Sequence, residues 1–196
     1  MSSVVISGDT SGAITVSAPA VSGTNTLTLQ AATATSAVNT LATAKAYNWN
    51  GLTTNTSLDF TDLPSWIKRI TVMFQGVSTN GSSNLQCQIG AGSVTSSGYL
   101  SSSAVISGGT AAAFTAGFGI ANGIGAGTIL HGSFTITSLG SNSWAVSGTM
   151  ASSNAANVWS MAGSITLGGT LDRIRLTTVL GVDFFDAGTV NILYEG

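Results

Sequence analysis

Apolar positions in this chain come in short bursts that alternate with polar ones and close on Gly, Ser, Asn or Thr. Within Ile70-Thr71-Val72-Met73-Phe74 the even positions fall on one side. Ile174, Leu176 and Thr178 alternate against Arg173, Arg175 and Thr177, and Val190, Ile192 and Tyr194 repeat the period near the C-terminus. A period of two is that of a strand with one buried face. No stretch sustains a period of 3.6 with caps and a charged face, so the pattern is all-β. It predicts strands over 67–77, 85–89, 114–120, 132–138, 144–150, 163–167, 171–179 and 189–194. Eight strands separated by turn signals predict a two-sheet, jelly-roll-like β-sandwich. Pro64 stands just before the first of these, where a missing N–H is harmless.

The same pattern is weaker before residue 45. Residues 1–44 hold no aromatic side chain, and their apolar positions come in pairs: Val4 with Ile6, Ile14 with Val16, Leu27 with Leu29. Thr10-Ser11-Gly12 and Ser22-Gly23-Thr24-Asn25 separate the pairs as turns. Fragments of this size bury too little to fold alone, since an isolated hairpin is marginal in water. We therefore expect an extended N-terminal arm whose six apolar residues are satisfied by neighbouring copies in a threefold bundle. Residues 31–46 read either as a short helix or as an extended linker. From Tyr47 onward come all four Trp, all seven Phe and all three Tyr. The expected division is an arm over 1–44 and a sandwich domain over 45–196.

Composition adds a reason to expect an assembly. Only 6% of residues are charged, the net charge is −2 and mean hydropathy is +0.41. Soluble domains usually carry about a quarter charged residues, which keep free chains apart. Here Ser, Thr, Gly, Ala and Asn supply the surface, as in a component of a durable particle. The opening residues lack the basic start and apolar stretch of a Sec signal, so release by cell lysis is expected, with type I secretion or an intracellular particle as the alternatives. Residues 111–130 carry no charge, but five glycines punctuate them, which excludes a spanning helix and membrane insertion. Cys87, the single cysteine, lies in an alternating run and is expected to be a buried structural thiol.

Chemistry-bearing motifs are few. Gly123-Ile124-Gly125-Ala126-Gly127-Thr128 lacks the lysine and the strand–loop–helix context of a phosphate loop. Ser147-Gly148-Thr149-Met150-Ala151 and Gly8-Asp9-Thr10-Ser11-Gly12 only approximate protease motifs, and no Gly-x-Ser-x-Gly elbow occurs. His131 is the only histidine, so a triad would rest on it alone. One His and one Cys are too few for a zinc site, and Asp183, Asp186 and Gly188 match no calcium loop. Asp59 and Asp62 share a stretch with nothing to set a catalytic separation. No enzyme activity, metal or cofactor is expected. Lys68-Arg69 and Arg173/Arg175 are too sparse for nucleic acid. They are expected to pair with Asp59, Asp62, Asp172 or Glu195, within a subunit or across an interface. Among the aromatics, Trp66 and Trp144 read as core. Trp49 and Trp159 have polar neighbours and read as receptor-facing or interface positions, suited to a host polysaccharide or protein.

Two sets of residues carry a resemblance. The opening, Ser7-Gly8-Asp9-Thr10-Ser11-Gly12-Ala13-Ile14-Thr15-Val16 continuing through Pro19-Ala20-Val21-Ser22-Gly23-Thr24-Asn25-Thr26-Leu27-Thr28-Leu29, resembles the attachment segment of tailed-bacteriophage tail fibres and related virion proteins. Pro64-Ser65-Trp66-Ile67-Lys68-Arg69-Ile70-Thr71-Val72-Met73-Phe74, Leu171-Asp172-Arg173-Ile174-Arg175 and Phe185-Asp186-Ala187-Gly188-Thr189-Val190-Asn191-Ile192-Leu193-Tyr194-Glu195 resemble a structural family of phages and prophages. The resemblance implies a virion location, a homotrimer, and an arm that joins other virion proteins. The expected function is a short trimeric tail fibre or fibre-tip protein in host attachment, with a capsid decoration or head-fibre protein as the alternative. It transfers no catalytic residue. The chain departs from tail fibres in having no long repetitive shaft.

Overall fold

The computed structural model describes residues 55–196 in full, together with the backbones of three earlier strands, Ser3–Ser7, Ala13–Ser17 and Lys45–Asn48. The chain forms two compact units, Met1–Ser36 and Ala37–Gly196. In the first, β1 (Ser3–Ser7) pairs antiparallel with β2 (Ala13–Ser17), in a register that sets Val4 opposite Val16 and Ile6 opposite Ile14. Two of the three sequence pairs of the arm thus face each other across one hairpin. Leu27 and Leu29 lie outside the described residues, as does most of 31–46.

The second unit is an all-β sandwich. Its strands are β3 (Lys45–Asn48), β4 (Ser57–Phe60), β5 (Arg69–Thr79), β6 (Leu85–Ala91), β7 (Ser93–Val94), β8 (Leu100–Val105) and β9 (Ala111–Phe114). There follow β10 (Phe118–Ala121), β11 (Leu130–Gly140), β12 (Ser143–Ser152), β13 (Val158–Thr166), β14 (Arg173–Thr178) and β15 (Phe185–Glu195). Eight strands form one antiparallel sheet in the order β3-β15-β5-β11-β12-β13-β8-β9. The other sheet runs β10-β6-β14-β4, with β7 attached to β6. A jelly roll has eight strands in two Greek keys. Here the sandwich divides eight plus five, with the meander β11–β12–β13 inside the large sheet.

One core fills the space between the sheets. Ile70, Val72, Phe134, Ile136, Val146, Met161 and Ile192 enter it from the large sheet; Leu58, Phe60, Cys87, Ile89, Phe118, Ile174 and Leu176 enter from the small one. Phe74 and Phe134 meet edge-to-face with centroids 6.1 Å apart, as do Tyr99 and Phe118 at 4.9 Å. Small residues make room for large ones. Gly148 stands opposite Phe134 across β11 and β12, and a Cβ there would land 2.5 Å from Phe134 Cα. Gly148→Ala is therefore expected to destabilise by about 1–3 kcal/mol through overpacking, read as a lower urea midpoint at unchanged slope.

A polar seam also ties the sheets together. The Ser101 hydroxyl accepts from the Gly119 N–H and donates to the Ala162 carbonyl, while Ser103 donates to the Ile120 carbonyl. Trp159 donates its indole N–H to the Asn122 carbonyl at 2.8 Å. Thus β8 and β13 of the large sheet are tied to β10, the edge of the small one. The buried hydroxyls and indole N–H of this seam survive because each finds a partner across the gap.

Candidate interaction surfaces

Antiparallel connections gather the loops at two ends of the sandwich, and those ends differ in charge. At one end lie the loops 80–84, 106–110, 122–129, 153–157 and 179–184. Asp183 is the only charged residue in these five loops, and its carboxylate accepts the Ser83 N–H at 2.8 Å. Asn side chains knit the loops together. Asn84 accepts the Gly123 N–H, Asn154 accepts the Ile129 N–H and donates to the Gly127 carbonyl, and Asn80 accepts the Phe184 N–H. Ile106, Val158, Val179, Leu180 and Val182 stand exposed at this end. Gly123–Thr128 is a β-connection here, as its composition predicts.

Among residues 55–196 the cations are at or near the opposite end. Arg69 pairs with Glu195 at 2.9 Å, Arg173 with Asp172 at 2.8 Å, and Arg175 with Asp59 through two 2.6 Å contacts. Three of the four cations thus meet partners foreseen from the sequence within the chain, while Lys68 and Asp62 form no ion pair among the described residues. Hydrogen bonding from Arg173 holds the Asp172 carboxyl below its ordinary range, and the bond to Asp59 raises the Arg175 guanidinium. All three pairs are half-exposed, where such pairs contribute little. Asp59→Ala is expected to lower stability by no more than about 1 kcal/mol. A double-mutant cycle with Arg175→Ala would check this, and coupling above that value would mark the pair as shielded from solvent. Between the 65–68 loop, the 138–142 hairpin and Thr170 lies a pocket of about 180 Å³. Trp144 lines it and is buried, and its indole N–H has no protein acceptor.

The outer face of the large sheet is the broadest feature. Its register defines rows across the strands, with every second residue of the central strands facing out. One row runs Leu193, Thr71, Thr135, Ser147, Ala162, Ser102. The next runs Asn191, Met73, Ser133, Thr149, Ser160, Ala104. A third starts at the Glu195–Arg69 ion pair and continues through Thr137, Ala145 and Ser164 to Leu100. That corner pair is the only charge in the three rows.

Two aromatic expectations are corrected. Trp159 is 1% exposed, because it occupies an inward position of β13 and its N–H is taken by Asn122. It is a core residue and not a receptor platform. Trp66, read as core, is 44% exposed and packs on Tyr194 with centroids 5.9 Å apart. The turn closed by Ile67 N–H to the Pro64 carbonyl carries residues 65–66 outward, and Ile67 takes the buried place. Trp144 is buried as expected, and Trp49 lies outside the described residues.

His131 sits in β11, where Nδ1 accepts the Gly76 N–H at 3.3 Å and Nε2 meets the Ser153 hydroxyl at 3.2 Å. Both nitrogens brace strand ends. Asp186 is engaged by the Ser78 hydroxyl, and Asp59 by Arg175. No group of three or more His, Cys, Asp or Glu converges as metal ligands among the described residues. No protein-family model, curated protein or solved structure matches the chain.

Proposed function

We propose that this chain is a structural component of a tailed-phage virion, a short homotrimeric tail fibre or fibre-tip protein that takes part in host attachment. Residues 1–44 join it to other virion proteins, and residues 45–196 present the sandwich. The protein is made in the host cytoplasm and leaves by lysis. The observation that carries this reading is the removal of charge from two large surfaces of one sandwich, the loop end and the outer sheet face. A protein that must stay free in solution keeps charge on such surfaces. A protein seated in a particle does not need it there. The β1–β2 hairpin, with its paired Val and Ile, gives the arm an element to add to an assembly. The resemblance of the opening segment to phage attachment segments names the particle.

In this reading the neutral loop end, with its exposed aliphatics and Asn amides, meets an uncharged target such as a polysaccharide or protein surface. Many weak copies acting together exceed single-site affinity by about 10²–10⁴. The test is antibody labelling of purified particles. Gold at the tail in a handful of copies is the expected result. Labelling of the head in hundreds of copies would move the protein to a capsid decoration role, and unlabelled particles would overturn the virion reading.

A further inference from the structure

We infer that the outer face of the eight-stranded sheet is the surface through which copies of this chain meet. The inference locates the contact within the assembly reading above and rests on it only in taking the protein to be multi-copy. Six adjacent strands at ~4.8 Å spacing make this face about 29 Å wide, and three rows extend about 20 Å along the strands. The resulting ~580 Å² is close to the ~600 Å² per partner at the low end of specific, stable interfaces.

The side chains fit one occupant, another copy of the chain. Thr135, Ser147 and Ser160 carry hydroxyls that both donate and accept, so such faces gathered about a threefold axis can hydrogen-bond whichever way they approach. Ala104 and Ala162 between them supply methyl surface. Ser and Ala lose little side-chain freedom when covered, unlike the Lys and Glu common on open faces. Covering the rows strands no ion, because the only charges are the corner Arg69 and Glu195, already paired at 2.9 Å. Other occupants fit less well. Nucleic acid needs a dense set of cations. A charged protein would find no counter-charge, and a lipid surface would meet hydroxyl rows where it needs large apolar side chains.

Ser147 and Ser102 are exposed, lie in one row and are separated by Ala162, so lysines at both places do not sit directly opposite one another. The experiment compares native masses of the full-length protein and its Ser147→Lys/Ser102→Lys variant. The wild type is expected at a multiple of 19.5 kDa. The variant is expected to dissociate at least about 100-fold more readily, with unchanged circular dichroism. Ser160→Lys, in the next row, serves if the double variant does not fold. Ser82→Lys, on the exposed 80–84 loop, should leave the mass unchanged. An oligomer that survives both face variants overturns the inference, since the copies then meet elsewhere; the virion reading would stand. A wild type that stays monomeric up to about 100 µM also overturns it. Particle labelling then judges the virion reading by itself.

Discussion

Trp159→Ala is expected to lower the melting temperature by roughly 6–20 °C, from a loss of about 3–5 kcal/mol in a domain of this size. Three effects add. The largest is the cavity left by one of the biggest fully buried side chains in the protein. The second is the Asn122 carbonyl, which loses the indole N–H that reaches it at 2.8 Å. A buried acceptor without a donor costs about 1–3 kcal/mol. The third is mechanical, because that bond ties β13 to the end of the edge strand β10. Trp159→Phe separates these effects. It keeps most of the packing and loses only the hydrogen bond, so it should fall short of the alanine variant by at least half. Equal losses for the two variants would show that the hydrogen bond carries the effect. A melting shift below about 2 °C for alanine would contradict the packing described for β13.

That residue also shows where sequence reasoning stops. Strand period identified β5, β11, β12, β14 and β15, because Ile70, Val72, Ile136, Val146, Ile174 and Ile192 alternate with polar neighbours. It missed the first half of β13, where Val158-Trp159-Ser160-Met161-Ala162 looks like a polar-flanked indole. There the inward residues are Trp159 and Met161, and Val158 is the one left exposed. β8 was missed altogether. Leu100-Ser101-Ser102-Ser103 carries almost no apolar signal, and its inward serines are buried only because β10 of the other sheet supplies backbone partners. A local pattern holds no information about a partner some 17 residues away in sequence and on the opposite sheet. The 114–120 strand splits into β9 and β10 for a similar reason. The chain bends over 115–117, where a side chain at Gly117 would meet Gln86.

The outer sheet face is a stronger case. Every residue in its rows is visible in the sequence, and low charge was legible from composition alone. Their alignment was not, because it depends on neighbours far apart in the chain: β15 on β5, β5 on β11, and β13 on β8. Only the register turns scattered Ser, Thr and Ala into continuous rows. The ion pairs were easier, since so few charges are present that Asp59, Asp62, Asp172 and Glu195 were the partners to weigh, and three of these four are used.

Cys87 is expected to react with thiol reagents at least about 10³-fold more slowly in the native protein than in urea. It lies on β6, between β10 and β14, facing Phe118 on one side and Leu176 on the other, and is fully buried. Burial also pushes its thiol well above the ordinary range, so the reactive thiolate is scarce even where a reagent could reach it. Labelling must then wait for an opening. If reclosing is fast, the rate tracks the population of the open state, which is about 10⁻³–10⁻⁶ for globally unfolding domains. The structure offers one cheaper route. β10 is a four-residue edge strand whose register slips between Gly119 and Ala121, and the Trp159 and serine bonds of the seam are what hold it. Intact-mass labelling against urea distinguishes the two. A steep urea dependence equal to that of global unfolding means that β10 leaves only with the whole domain. A shallow dependence in Trp159→Ala, with a steep one in the wild type, is the result expected if the seam anchors the edge. Full labelling of the native wild type within minutes would mean that Cys87 is not enclosed as described, and the two-sheet core around it would have to be redrawn.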